Sequence, residues 1–311
     1  MRIRNATSLV AAALTLMAFG CFASAEQPES KSQLLKDVYP RLTTGMMMEA
    51  KLASLPAGVI LQAGGVKITA KDLDAEIAKA PESVRPQLVK NAFFILENRA
   101  TRDLLVTEAK AWTKEKNQKL PTETSDPLKP YFDSLTANVS ASDAELNDFY
   151  GKNKDMMGGA TFEQVKDELK QYVLGQKRQE TLDTHVATIG KRTPIDVDKT
   201  WVEKQYASAM DNPVDKARSS GKPSLVDFGA DGCQPCEMMT PVLESLTKEY
   251  EGKMNVLFVH VRNEQILAAR YGIQSIPVQA FFDRDGKEVF RHVGFFPKDQ
   301  IVSKLSELGV K

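Results

Sequence analysis

The chain has 311 residues, with Lys and Arg matched by Asp and Glu at 41 each, a length that accommodates two domains of ordinary size. Zero formal net charge, no basic block and few aromatic residues set aside nucleic-acid binding, which depends on positive charge meeting phosphate.

At the N-terminus, Arg2 and Arg4 precede an apolar run from Leu9 to Phe19 and then Ala23-Ser24-Ala25. That is the order of a secretory signal peptide, with cleavage near Ala25 and a mature chain starting at Glu26. The apolar stretch falls short of the ~20 residues that span a bilayer. Export is therefore the expectation. Lipidation at Cys21 is the lesser alternative, because Ala18-Phe19-Gly20-Cys21 places Phe19 where a lipoprotein signal prefers a small residue. Cleavage leaves Cys233 and Cys236 as the only cysteines of the mature chain.

Residues 26–56 read as a linker or weak helix, with Met46, Met47 and Met48 as core or interface filling. Val59 to Ala63, a Gly64-Gly65 turn and Val66 to Thr69 predict a hairpin. A helix follows from Lys71, and Pro81 with Pro86 separates it from the next. Val89, Phe93, Leu96, Ala100 and Leu104 recur every three or four residues, predicting one long helix from Pro86 to about Lys116. Pro121, Pro127 and Pro130 mark a loop with a helical piece at Tyr131 to Leu135. Ser142 with Glu145, and Thr161 with Gln164, are capping-box signals for two further helices, the second running to about Lys191.

Residues 57–198 resemble the N-terminal region of the SurA and trigger-factor-like periplasmic chaperones. The resemblance rests on the hairpin Leu61 to Thr69, on Leu104-Leu105-Val106-Thr107-Glu108-Ala109-Lys110, on Ser142 to Tyr150, and on Thr161-Phe162-Glu163-Gln164-Val165 with Gln176-Lys177-Arg178-Gln179. The family commonly inserts a parvulin-type isomerase domain where this chain has only Met156-Met157-Gly158-Gly159-Ala160, so prolyl isomerase activity is not implied. What the resemblance implies is a mainly α-helical cradle for unfolded or extended segments. A helical spacer or dimerisation module is the competing reading, since an apolar helix face usually means core.

Thr193 to Val197 closes this region, and a helix near Thr200 to Met210 and a turn at Pro213 follow. From residue 199 onward a second domain is expected, and from Lys222 strands alternate with helices. Strands are predicted at Leu225 to Gly229, Asn255 to Val261, Pro277 to Phe282 and Lys287 to Val293. Helices are predicted at Pro235 to Tyr250, kinked at Pro241, at Glu264 to Tyr271 and at Lys298 to Leu308. This order makes a mixed sheet with helices on both faces.

Gly232-Cys233-Gln234-Pro235-Cys236 falls where the first of these strands gives way to a helix. Two thiols at that spacing close a small disulfide ring with little backbone movement. The helix start favours the thiolate of Cys233, the species that attacks a disulfide sulfur. Cys233 is accordingly the candidate nucleophile and Cys236 the resolving thiol. A purely structural bridge gains little from so short a loop. A zinc site lacks its second half, because His185, His260 and His292 sit at no ligand spacing from the pair.

Residues 220–311 resemble thioredoxin, through Val226-Asp227-Phe228 before the Cys-x-x-Cys, Pro241 five residues after it, Tyr271 to Pro277, and Gly294 in His292-Val293-Gly294-Phe295. The resemblance implies an α/β thioredoxin fold with a redox-active disulfide and no bound cofactor or metal. It also implies that Pro277 is a cis-proline facing the disulfide, that Ile276 pairs its backbone with an extended substrate beside Gly232 and Gly294, and that Asp227 is the buried acid behind Cys236. Burial would raise that acid towards the range of the thiol it serves. Two positions depart from the family. Gly232 replaces a Trp, and Phe258 stands near the place of a buried Lys that partners the acid.

The expected activity is an exported protein-disulfide reductase or isomerase. Its partners would be disulfide-containing or unfolded exported proteins and a membrane electron donor. Pro235 before the second cysteine and Ile276 before Pro277 point to a reducing rather than an oxidising member. The alternative is a periplasmic chaperone or peptide-binding module that uses the thioredoxin domain as a surface.

Overall fold

The computed structural model describes residues 33–43, 45–117 and 126–310. The signal-peptide and lipidation readings fall on residues 1–32, and part of the proline-rich loop on residues 118–125, outside the described residues. In the first part of the described chain, α1 (Leu35–Val38) leads into a 3-10 turn at Met46–Glu49, followed by β1 (Lys51–Ala53), β2 (Val59–Ala63) and β3 (Val66–Thr69). Then come α2 (Ala70–Ala78), α3 (Arg85–Lys90), α4 (Ala92–Glu115), α5 (Leu128–Leu135), α6 (Asp143–Lys152) and α7 (Phe162–Arg192), and finally β4 (Ile195–Asp198) and α8 (Lys199–Met210).

The hairpin forms as expected, and its neighbourhood is more sheet-like than the sequence suggested. β1 and β4 join it in a four-stranded sheet ordered β1-β4-β2-β3, with β1 and β4 parallel. The segment around Met46 is therefore not a linker. Met46 and Met47 are buried, and Gly190 near the end of α7 packs so tightly on this turn that a Cβ would clash with the Met46 carbonyl. Glu97 of α4 is buried beneath the same turn. Its Oε1 accepts from the Met47 N–H at 3.1 Å and from the Thr43 hydroxyl. Burial raises its pKa against the pull of those donors and of Arg270.

The long helix expected from Pro86 is broken at Asn91, where φ −110° and ψ 31° end α3 and begin α4. The Asn91 side chain donates to the Gln87 carbonyl at 2.9 Å, ending the first helix locally. The break turns Val89 out of the apolar stripe, and it is 58% exposed, while Phe93, Leu96, Ala100 and Leu104 remain in the core. Both capping boxes form. The Ser142 side chain accepts from the Glu145 N–H, and at the second box the Thr161 N–H donates to Gln164 Oε1 at 2.8 Å. α6 and α7 enclose a satellite core of Leu146, Leu169 and Val173. α8 places Val202 and Ala209 in the main core of this first part.

The second part begins with α9 (Pro213–Arg218), a helix where the sequence suggested only a turn; Pro213 occupies its first turn and Asn212 caps it. β5 (Ser224–Gly229), α10 (Gln234–Glu249), β6 (Asn255–His260), α11 (Gln265–Arg270), β7 (Val278–Phe282), β8 (Glu288–Val293) and α12 (Lys298–Glu307) complete it. The sheet order is β6-β5-β7-β8, parallel between β5 and β6 and antiparallel elsewhere. One face carries Leu225 and Phe281 against Met239, Leu243 and Leu246 of α10 and Ile301 and Leu305 of α12. The other carries Val226, Phe228 and Ala280 against Val214 of α9 and Leu267 of α11.

The two parts cluster as one compact unit, Gln33–Lys311. A buried ionic knot lies at their junction. Asp215 of α9 is fully buried and accepts from Tyr271 at 2.8 Å, Asn212 at 2.6 Å and Arg218 at 3.1 Å, and pairs with Arg270 at 2.8 Å. Arg270 also donates to the Ala209 and Arg41 carbonyls, at 3.0 and 3.2 Å, so one guanidinium ties the second part to the first. Gln87 of α3 adds a second tie, donating to the Asn263 carbonyl at 2.6 Å and accepting from the Ile266 N–H at 3.2 Å. Removing one member of such a knot strands buried charge. Asp215→Ala should lower the unfolding free energy by about 3–5 kcal/mol in a urea titration; a loss within the ~0.5 kcal/mol of an ordinary surface change would show that the knot is not stabilising.

Candidate functional site

All six residues of β5 are buried, and the strand's period of two puts Asp227 on the same face as Leu225, beneath α10. After Gly229 the chain turns through Ala230, Asp231 and Gly232. Gly232 takes φ 70°, in the left-handed region that a glycine enters at no steric cost. Cys233 is then the N-cap of α10, its Sγ accepting the backbone N–H of Cys236 at 3.3 Å. Pro235 sits in the first turn, where its missing N–H has no partner to lose.

A disulfide joins Cys233 and Cys236, whose Cα atoms are 5.2 Å apart. The two sulfurs are not equivalent. Cys233 is half-buried at the helix start, while Cys236 is 5% exposed beneath it. On release of the bridge, Cys233 keeps an amide donor and the positive end of the helix, both of which favour its thiolate.

Across from the bridge, the Ile276–Pro277 peptide bond is cis. The Ile276 carbonyl oxygen is 4.0 Å from Cys233 Sγ. Gly294, at φ 102°, donates its N–H to the Pro277 carbonyl at 2.8 Å and so anchors this loop to the end of β8. Ile276 thus lies beside Cys233, and Gly294 is tied to the next residue, Pro277. Exposed apolar surface nearby comes from Met238 and Phe258, which are 47% and 51% exposed.

Asp227 is fully buried, and its surroundings are polar on one side only. Its Oδ1 accepts from Gln279 Nε2 at 2.6 Å, while Oδ2 and the Gln279 Oε1 have no hydrogen-bond partner. On the other side β6 places Phe258 opposite Asp227 in register, where the resemblance implied a Lys. Burial pushes the Asp227 carboxyl up to about 6, against the smaller downward pull of Gln279. Two residues of this site were not singled out from the sequence. Gln279 is the one polar side chain in the strand Val278–Phe282, and it pairs with Asp227 across β5 and β7. Gly229 lets the Phe258 ring and Cys236 approach, since a Cβ there would stand 2.9 Å from the ring and 3.3 Å from the Cys236 Cβ. A cavity of about 420 Å³ opens beside Cys236, lined also by Asp231, Glu237, Glu244, Val256 and Phe258.

The three histidines lie apart. His260 Nε2 is 3.1 Å from Asp231, His185 lies between Tyr131 and Glu108, and His292 stacks on Phe296 with centroids 4.1 Å apart. Burial lowers the His292 pKa, against its hydrogen bond with the Phe295 carbonyl. Among the described residues no cluster of three or more His, Cys, Asp or Glu is placed to hold a metal ion. No described helix is long and apolar enough to cross a membrane.

Comparison with known proteins places the similarity in the same third of the chain. The family model described as Thioredoxin matches residues 202–307. Thioredoxins of Staphylococcus aureus strains Mu50 / ATCC 700699 and MW2 are each 43% identical over 83 residues, spanning 27% of this chain and 79% of the relative. A solved mutant thioredoxin from Halobacterium salinarum NRC-1 is 31% identical, covering 32% of this chain and 83% of its own at a TM-score of 0.29.

A buried acid whose folded pKa exceeds its unfolded value stabilises the protein most below the unfolded pKa and loses that contribution as pH rises through the folded one. For Asp227 the window runs from about 4 up to about 6. Asp227→Asn should therefore gain stability on wild type by about 2–3 kcal/mol on going from pH 4 to pH 8, read from paired denaturant titrations. A stability difference independent of pH would contradict the assignment.

Proposed function

This chain belongs to the thioredoxin family, its C-terminal sheet and helices having that family's fold, and we propose that it is an exported protein-disulfide reductase or isomerase working through Cys233 and Cys236. The observation that carries the reading is the asymmetry of the pair. A half-buried sulfur caps α10, and one turn on a buried sulfur sits in the helix that covers the strand face carrying the buried Asp227.

The steps follow from that geometry. The Cys233 thiolate attacks a substrate disulfide, one substrate sulfur leaves as thiolate, and a mixed disulfide forms. The Ile276 backbone, next to Cys233 and followed by the Pro277–Gly294 tie, would pair with the substrate's extended chain. Asp227 as carboxylate takes the Cys236 proton. The Cys236 thiolate then attacks Cys233 Sγ, the mixed disulfide breaks, and two electrons leave with the substrate dithiol. Running the sequence backwards oxidises a substrate.

Reduction or isomerisation is favoured over oxidation because Pro235, and not a histidine, precedes Cys236, and because Ile276 precedes Pro277. A potential near the ~−270 mV of thioredoxin is expected, far from the ~−120 mV of strong periplasmic oxidants. A membrane electron donor would keep the dithiol reduced. The first part of the chain, with its long α7 and the α6–α7 pair, is proposed to hold unfolded or disulfide-bonded exported clients near the dithiol.

Insulin reduction with dithiothreitol as electron source tests the chemistry. Cys233→Ser should abolish turnover. Cys236→Ala should retain the first attack and accumulate covalent mixed disulfides that dithiothreitol releases. Equal trapping by both single variants, or turnover surviving Cys233→Ser, would overturn the assignment.

A further inference from the structure

Gln279 is fully buried in β7 with its amide facing the fully buried Asp227, Nε2 to Oδ1 at 2.6 Å. The neighbours of Asp227 leave it this one polar partner. Phe258 stands opposite on β6, and the overlying helix α10 contributes Cys236, Met239 and Leu243 to the buried layer. The charged groups on that side, Asp231, Glu237 and Glu244, line the cavity beside Cys236, which Asp227 does not line; His260 pairs with Asp231. Two atoms of the pair, Asp227 Oδ2 and Gln279 Oε1, have no partner.

The chemistry assigned to Asp227 requires it to pass between carboxylate and carboxylic acid while buried. A lysine partner, which only donates, would hold the anion and oppose the acid. A carboxamide is different, because it carries both donors and an acceptor. We propose that Gln279 is a positioning residue that hydrogen-bonds Asp227 in both protonation states, donating through Nε2 to the carboxylate and, after its amide flips, accepting through Oε1 from the carboxylic acid. The proton that Asp227 receives is the one lost by Cys236 as its thiolate forms, and it returns when the pair is reduced. Gln279 moves no electrons and keeps its own protons throughout. This inference rests on the disulfide-exchange reading for the use of the proton, while the Asp227–Gln279 bond is a property of the oxidised chain by itself.

The test separates the two. Asp227 protonation is followed by carboxyl 13C NMR on the full oxidised chain, in which no thiol titrates, in wild type, Gln279→Met and Gln279→Glu. The bond to the carboxylate is stronger than the bond to the acid, and the difference between the two corresponds to about one pH unit. Gln279→Met should therefore raise the Asp227 midpoint by about that amount and slow insulin reduction most near neutral pH, where wild-type Asp227 is ionised. Gln279→Glu keeps the shape and should leave the two carboxyls sharing a proton, with one titration displaced above that of wild type. An Asp227 midpoint unchanged in both variants would overturn the proposal. Shifted midpoints with insulin reduction unaltered at every pH would confine Gln279 to a structural role and overturn it as well. Failure of wild type itself to reduce insulin would count against the disulfide-exchange reading while the midpoints still decide the bond.

Discussion

Full burial of β5 is the constraint on which the C-terminal part depends. A strand covered on both faces must be apolar, so Asp227 is costly there and persists only with a partner. The same strand ends directly beneath the start of α10. Its trajectory therefore sets where Cys233 emerges, how deep Cys236 sits, and which face carries the acid. Parallel pairing with β6 brings Phe258 to one side of Asp227, and antiparallel pairing with β7 brings Gln279 to the other.

The two cysteines obtain different chemistry from this single placement. One sulfur has an amide donor and a helix terminus, and the other is buried in the helix that covers the strand face carrying Asp227. Loss of the Trp and Lys of the family alters the surroundings without removing this difference. Gly232 adopts a backbone that suits glycine, and Phe258 supplies apolar surface to the cavity beside Cys236. Replacing Lys by Phe258 makes the acid harder to ionise, and Gln279 offsets part of that effect.

Much of this was legible in the sequence because the signals were local. Cys-x-x-Cys after an apolar strand, the capping pairs Ser142 with Glu145 and Thr161 with Gln164, and the alternation of strands and helices after Lys222 each depend on neighbouring residues. What escaped depends on distant ones. β1 and β4 are three and four residues long and become strands only by pairing with each other, and β4 with β2, across more than a hundred residues. The break at Asn91 interrupts an apolar period that continues on both sides. Gln279 reads as an exception within an apolar strand until the register sets it against Asp227. The ties made by Asp215, Arg270 and Gln87 between the two parts have no sequence pattern at all.

The most direct test of the asymmetry is alkylation of the reduced chain with iodoacetamide over a range of pH, each cysteine quantified by peptide mass spectrometry. Cys233 should be labelled first, with the pH of half-maximal rate below the ordinary thiol value of about 8.5, while Cys236 should react slowly and only at higher pH. Equal labelling of both cysteines, or preferential labelling of Cys236, would contradict it.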